Sequence, residues 1–546
     1  MSDDPEKETL SEGRGADTPS LSLRTGLLLL IGSAFLRFLS HPPLQVEAAA
    51  WVALVGFLFY VNAVRSWTWL LVGSGLWGFF FFLPSLAWLR HIAVPAWIGL
   101  SGLMALFPVF FVVLLKTLAP APGVRQGVVG GFCWVVSEYT RTHFLSGFPY
   151  LFLAHSQADL LPLIQVADVT GAWGVSLMIF WVNAAVFMVL YPLVRPYLDG
   201  LEPIRTARSR IWIASGIAVL LPICALVYGF RTLQTTSADT GPRIGVIQGN
   251  VPQSVRKRQS PETLFRLHAA LAEQVSGRAG LVVWPETMYP HSVGVTRDGV
   301  ARSRPPEPLE ELIDRVTAPQ LIGGHTLKER EEGVDIYNSA WLVTDEGLDQ
   351  HYFKYHLVPF GEYIPGHTLL PFLDPIVDRV FPYAADITWL SAGPPPEKSR
   401  PMTWRGPSFV PMICYEVVFP DEFRTRVNRG ASFVINMSNE AWYRNEAELD
   451  QMLSIVRYRA VENRISVVRS TNTGISGFIF PSGRQHLLRG PGGEVRGVRG
   501  TMVDRIRKKG SSTVYRLYGD WLPLGAIGVL ILLFIQFLVN VTIQEK

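Results

Sequence analysis

The sequence predicts a polytopic α-helical membrane domain joined to one α/β domain outside the bilayer, and three observations carry that prediction. Of its 546 residues 49% are hydrophobic, 12% aromatic and only 17% charged, with a mean hydropathy of +0.23, too apolar for a water-soluble chain of this length. The charge is also segregated: 10 charged residues fall among the 170 from Thr25 to Val194, and 84 among the other 376. Finally, about 275 residues of ordinary soluble composition lie between the last two long apolar runs, the size of a single α/β domain. Lys and Arg (49) nearly balance Asp and Glu (45), which excludes a broad phosphate-neutralising surface and a nucleic-acid partner. Three cysteines supply neither a disulfide framework nor a Cys-rich metal knot.

Apolar runs near the roughly 20 residues that cross a hydrocarbon core fall at 24–40, 48–64, 66–89, 94–118, 124–142, 169–194, 209–231 and 519–541, about eight spans. The polar start, with Asp3, Asp4, Glu6 and Glu8 and no apolar h-region, predicts a disordered cytoplasmic tail rather than a signal peptide. Lys7, Arg14, Arg24, Arg65, Lys116, Arg125, Arg195, Arg205, Arg208 and Arg210 fall on one side of the membrane, Arg90 and Arg141 on the other. The positive-inside rule then places both termini in the cytoplasm and the soluble domain outside. The expected units are a tail (1–23), a seven-helix membrane domain (24–232), the α/β domain (233–515) and a last transmembrane helix with a short tail (516–546).

In the soluble part, short β-branched or apolar runs predict strands at Arg243–Gln248, Gly280–Trp284, Gln320–Gly323, Tyr337–Val343, Tyr352–His356, Ser408–Cys414, Ser432–Asn436 and Ser466–Ser470. Apolar spacing of three and four predicts helices at Thr263–Val275 and Ala447–Asn463. Asp345-Glu346-Gly347 is a turn signal between two strands.

Three expected strands end on reactive or ionisable residues: Glu286 after Trp284-Pro285, Lys354 ahead of a run ending in Glu362, and Cys414, followed by Tyr415-Glu416. Strand ends are where a rigid sheet presents groups to accessible loops. Together such residues suit acyl transfer: a carboxylate removes the thiol proton, and an ammonium favours the thiolate and the oxyanion of a tetrahedral intermediate. Singly each has a plainer reading, the cysteine as a small buried hydrophobe and the glutamate as a first-turn helix residue.

These residues resemble the Glu-Lys-Cys triad of the nitrilase superfamily. Trp284-Pro285-Glu286, the run from His356 to Pro365 (His-Leu-Val-Pro-Phe-Gly-Glu-Tyr-Ile-Pro), Cys414-Tyr415-Glu416, Gln248-Gly249-Asn250 with Pro252-Gln253, Asn436 to Trp442, and Gly147-Phe148-Pro149-Tyr150 with Ser156-Gln157 are similar, more narrowly, to the apolipoprotein N-acyltransferase family. The resemblance spans about residues 25 to 541. It implies a nitrilase-like αββα sandwich in the periplasm, carried by a multi-pass protein of the bacterial inner membrane. It makes Glu286 the general base, Lys354 the charge stabiliser and Cys414 the nucleophile. Glu362, Glu416 and Tyr415 are supporting residues, the last through its backbone N–H. Glu362 would bond Lys354 or the incoming amine; for Glu416 the plainer alternative is pairing with an Arg. The implied partners are a phospholipid acyl donor, a diacylglyceryl apolipoprotein acceptor and the membrane; the expected enzyme is a ping-pong acyltransferase, a monomer without cofactor or metal. The alternative is a membrane-anchored amidase or hydrolase of the same superfamily with water as acceptor.

The chain departs from the family pattern at Arg256-Lys257, where a Lys-Trp pair is usual, at Glu440 in place of Asp, and at Tyr139 in place of Trp. The apolar stretch Leu369–Leu390 is read either as an arm dipping into the outer leaflet or as core packing. Trp67 and Trp88 are read as interfacial anchors and Phe79 to Phe82 as helix packing or an acyl-chain wall. Glu138 and Arg141, three apart, would pair or bind a lipid headgroup. Cys133 and Cys224 carry no assigned role.

Overall fold

The computed structural model describes residues 21–198, 201, 204, 206–235, 240–256, 258–295, 307–331, 333–365, 390–444 and 446–544. Residues 1–20 of the expected tail and 369–389 of the expected arm lie outside them.

Every apolar run expected to span the membrane is helical, wholly or in part. Among the described residues five helices are long and apolar enough to cross a bilayer: Trp67–Ser85, Val94–Leu118, Ala172–Tyr197, Arg208–Gln234 and Trp521–Ile543. The other three expected spans fall short for identifiable reasons. Leu23–Leu39 has 17 residues, the second run divides into a 3-10 turn (Glu47–Trp51) and a nine-residue helix (Val55–Ala63), and Val124–His143 carries Arg125, Glu138 and Arg141. The span 94–118 is itself divided at Ala105, because Pro108 has no N–H to return to the Met104 carbonyl. Arg208–Thr235 and Trp521–Gln544 leave large apolar side chains exposed, among them Trp212, Ile213, Leu532 and Ile543, as lipid-facing helices do.

Thirteen described strands build the α/β domain: β1 (Thr240–Gln248), β2 (Leu281–Val283), β3 (Ser292–Val295), β4 (Gln320–Glu329), β5 (Val334–Thr344), β6 (Gly347–Phe353), β7 (Met402–Thr403), β8 (Ser408–Ile413), β9 (Phe433–Ser438), β10 (Val467–Thr471), β11 (Gly477–Ile479), β12 (Gln485–Leu487) and β13 (Gly500–Arg507). They form two sheets. One runs β13-β1-β2-β4-β5-β6 with β3 on β4, the other β12-β11-β10-β9-β8-β7. The inner strands β1, β2 and β4 are parallel, as are β8, β9 and β10. Being covered on both faces, they read as nearly continuous apolar runs.

The side chains alternate as the pleat requires. Phe409 and Ile413 of β8 and Phe433 and Ile435 of β9 point into a core shared with Ile244, Val246, Leu281 and Val283 of the facing sheet. Val410, Met412 and Val434 point the other way, onto helices Pro420–Asn428 and Glu448–Asn463. Helices Pro261–Ser276 and Glu307–Arg315 cover the outer face of the first sheet. The result is a four-layer αββα sandwich whose second helical layer shares one continuous apolar core with the membrane helices.

Three expected strands are shorter than their apolar runs, and that at Gly280–Trp284 forms over Leu281–Val283. The strand expected at Tyr352–His356 stops at Phe353, because the Tyr355 and His356 N–H groups turn to the Glu416 carboxylate at 2.8 and 3.3 Å. The one expected to reach Cys414 stops at Ile413, where Cys414 takes a φ of 53°. The unanticipated β3, β7 and β11 to β13 are short or polar segments that supply little periodic signal.

Candidate active site

Glu286 is set by the end of β2. Trp284 buries its ring and donates Nε1–H to Gln320 Oε1 at 2.9 Å, Pro285 ends the strand, and Thr287 turns the chain with a φ of 51°. Gly323 of the neighbouring β4 permits this turn: a Cβ there would lie 2.6 Å from the Pro285 carbonyl oxygen and 3.0 Å from Glu286 Cα. The carboxylate is 7% exposed and held at both oxygens. Oε1 accepts from Asn338 Nδ2 at 2.7 Å and lies 3.5 Å from Lys354 Nζ; Oε2 accepts from the Asn439 backbone N–H at 2.9 Å.

Lys354 follows β6 directly and is 1% exposed. Its ammonium donates to Glu362 Oε1 at 2.8 Å, while Glu362 Oε2 takes the Val358 N–H at 2.8 Å. Glu362 thus tethers the loop that carries it and shares Lys354 with Glu286. Asn338 also reaches Glu362 Oε1, at 3.2 Å, linking the two carboxylates.

Cys414 begins the tight turn Cys414–Val418 and is 8% exposed. A positive φ costs a non-glycine residue energy, so the surroundings must enforce it. Glu416, fully buried behind the turn, does so. Its Oε2 accepts from Ile413 N at 2.7 Å, and its Oε1 from Tyr352 Oη (2.7 Å), Tyr355 N (2.8 Å), His356 N and Arg426 Nη2 (3.4 Å). The Arg partner foreseen for Glu416 is present, as one contact of five. Tyr415 packs its ring on Tyr150 and donates its hydroxyl to the Gly147 carbonyl at 2.8 Å.

Burial raises the Glu286 carboxyl above its ordinary value; Lys354 and the bonds from Asn338 and Asn439 pull it down, and Glu362 pushes it up. Burial opposes the charge on Lys354, yet Glu362, Glu286 and Cys414 outweigh it and hold the ammonium above its ordinary value. Burial, reinforced by Glu286, pushes the Cys414 thiol well up, with Lys354 opposing. The resting arrangement is therefore a thiol beside an ammonium–carboxylate cluster. Among the described residues no group of three or more His, Cys, Asp or Glu side chains is placed to hold a metal ion.

Asn338, absent from the sequence expectations, touches both acidic residues. Its signal is a lone amide inside the apolar run Tyr337–Val343, 2% exposed, where only hydrogen-bonded polar groups are tolerated. The Glu440 departure is absorbed by a buried ion pair with Arg469. Lys257 lies outside the described residues. Trp88 is no interfacial anchor: it is buried under the α/β domain, donating to Gln451 Oε1 at 3.1 Å and packing on Tyr443. Trp67 is half exposed. Glu138 accepts from Trp134 Nε1 and Leu153 N, and Arg141 lies over the rings of Phe82 and Phe152.

The apolipoprotein N-acyltransferase N-terminal domain family matches residues 33–185, and the carbon-nitrogen hydrolase family matches residues 243–519. An apolipoprotein N-acyltransferase of Geobacter metallireducens is 26% identical over 526 residues, covering 91% of this chain and 92% of its own. One of Haemophilus influenzae is 24% identical over 527 residues, covering 93% of each. A crystal structure of an amidase from Nesterenkonia sp. aligns with 53% of this chain and 99% of its own at 16% identity and a TM-score of 0.32. With a family match over half its length and the matching membrane domain before it, the chain belongs to the carbon-nitrogen hydrolase family, in its apolipoprotein N-acyltransferase branch.

Proposed function

We propose that the protein moves an acyl chain from a membrane phospholipid, through a thioester on Cys414, to the N-terminal amine of a diacylglyceryl-cysteine apolipoprotein. One observation carries the reading: Cys414, clustered with the buried Glu286 and Lys354, begins a turn whose next residue, Tyr415, is bonded directly to a loop of the membrane domain. The relatives' names point to the same class of reaction.

In the first half, Glu286 takes the Cys414 proton and Sγ attacks the ester carbonyl. Lys354 faces the negative charge that develops. Collapse breaks the C–O bond, and the departing lysophospholipid oxygen recovers the proton from Glu286. In the second half the free amine attacks the thioester, Glu286 takes a proton from the nitrogen, the C–S bond breaks, and that proton returns to sulfur. Burial of all three side chains restricts water, which favours the amine over hydrolysis. The reading places the chain in the bacterial inner membrane, both termini cytoplasmic and the catalytic domain periplasmic, acting as a monomer.

Incubating the purified protein with phospholipid and weighing it intact tests the reading. A palmitoyl-sized mass on Cys414, absent in Cys414→Ser and discharged by a diacylglyceryl peptide, is expected. An adduct that only water discharges would replace the transferase with a hydrolase, and a wild-type protein that never acylates would sink the reading.

A further inference from the structure

Arg256 is the described half of the departure from the family's Lys-Trp pair, and the structure puts it against Thr287, the residue that follows Glu286. It ends the short helix Gln253–Arg256, and its Nη2 donates to the Thr287 carbonyl at 2.8 Å and reaches Thr287 Oγ1 at 3.4 Å. Thr287 directly follows Glu286 and has a φ of 51°. A β-branched residue does not hold that conformation unaided, so the contact fixes a turn that would otherwise relax and swing the carboxylate.

The segment leading to Arg256 is itself woven into the site. Asn250 N donates to the Asn472 carbonyl at 2.8 Å and Val251 N to Asn472 Oδ1 at 3.0 Å. Asn472 Nδ2 then reaches Asn439 Oδ1 at 3.0 Å, and Asn439 supplies the N–H on Glu286 Oε2. The same stretch of chain thus braces the base from its backbone and, through two asparagines, from its far oxygen.

We infer that Arg256 is a positioning residue for Glu286, pinning the turn that presents the carboxylate and adding a positive charge that keeps it ionised. A guanidinium suits both tasks, since one nitrogen spans the Thr287 carbonyl and hydroxyl while the charge stays permanent. The groups acting on Glu286 come from every neighbouring element: Lys354 and Glu362 after β6, Asn338 on β5, Asn439 after β9, Cys414 after β8 and Tyr443 beyond it. Arg256 is the contribution from the β1 side, with His325 of β4 in electrostatic reach of both Arg256 and Glu362.

The inference rests on Glu286 serving as the base, and the test separates it from the acyl-transfer reading. In the full-length protein in detergent, the pH dependence of Cys414 alkylation by iodoacetamide, which needs no acyl substrate, is followed for wild type, Arg256→Gln and Arg256→Lys, alongside kcat and KM for acyl transfer. Removing a positive charge beside a carboxylate raises its pKa, so activity is lost at higher pH on the acid side. For Arg256→Gln the acid limb of both profiles is expected to move up by about half to one pH unit, with kcat falling about tenfold and KM within about twofold of wild type. Arg256→Lys is expected to restore the limb without restoring kcat fully. An unmoved limb in an Arg256→Gln protein of wild-type melting temperature, or a lower melting temperature with no change in limb, overturns the inference. A shifted alkylation limb in a protein that transfers no acyl chain supports the Arg256 role and removes the reaction.

Discussion

Glu416 illustrates what one side chain decides. A sequence offers it as a carboxylate two residues from Cys414; the fold makes it the fully buried acceptor for Ile413, Tyr352, Tyr355, His356 and Arg426. It joins the loop that carries Lys354 to the turn that carries Cys414, so it positions both without touching either reacting atom. Glu416→Gln replaces an acceptor by a donor and leaves the Arg426 charge buried without its counterion. The expected loss is on the order of 3 kcal/mol, read as a lowered melting temperature together with slowed Cys414 acylation. A variant that melts and acylates as wild type would refute the positioning role.

At the scale of an element, the loop Phe144–Tyr150 is the contact between the membrane domain and the chemistry. His356 donates Nε2 to the Ser146 carbonyl at 2.9 Å and bonds Glu422 through Nδ1 at 2.6 Å, and Tyr415 reaches the Gly147 carbonyl. Gly147 has a φ of 77°, and a Cβ there would stand 2.1 Å from the Thr142 carbonyl oxygen. Only glycine closes this turn. Gly147→Ala is expected to displace both carbonyls and lower acylation of Cys414 by at least about tenfold, while circular dichroism reports unchanged helix content. Unchanged acylation would mean that the loop is a spacer and not a support. The Gly147-Phe148-Pro149-Tyr150 motif was visible in the sequence, but its contact with residues more than 200 positions away was not.

At the scale of the molecule, polar contacts, some buried and some at the rim, join the α/β domain to the membrane helices. Arg464 pairs with Asp168 at 2.6 Å, Arg457 with Asp159, and Arg90 and His91 with Glu446. Glu462, at the end of helix Glu448–Asn463, accepts the Ala172 N–H that opens a membrane helix and pairs with Arg459. Burial raises its carboxyl from 4.5 to about 7, with Arg459 opposing. Between those values the folded protein retains a proton that the unfolded chain has released, so stability falls as pH rises through the window and stays low above it. The loss is on the order of 3 kcal/mol. Glu462→Gln cannot ionise and is expected to flatten this fall, so that its melting temperature changes by a few degrees less than that of wild type between pH 4.5 and pH 8. A parallel pH dependence in the two proteins would show that the interface does not depend on this proton.

The sequence by itself determined the division into an apolar and a soluble part, the inner strands and the positions that end them, because burial on both faces and hydrocarbon solvation write themselves directly into residue type. Glu286, Lys354 and Cys414 were legible for the same reason, each an ionisable or reactive residue closing an apolar run. The tertiary structure alone decided which partners restrain them. Asn338, Arg256 and the Glu416 acceptor bonds come from segments tens to hundreds of residues apart, joined only by sheet order and the docking of two domains. It also decided the breadth of the membrane domain, where the 17-residue Leu23–Leu39, the divided second run and the charges of Val124–His143 reduce eight apolar runs to five long apolar helices among the described residues. Local composition records what a residue must be buried with; it does not record which distant hydrogen bond makes that burial affordable.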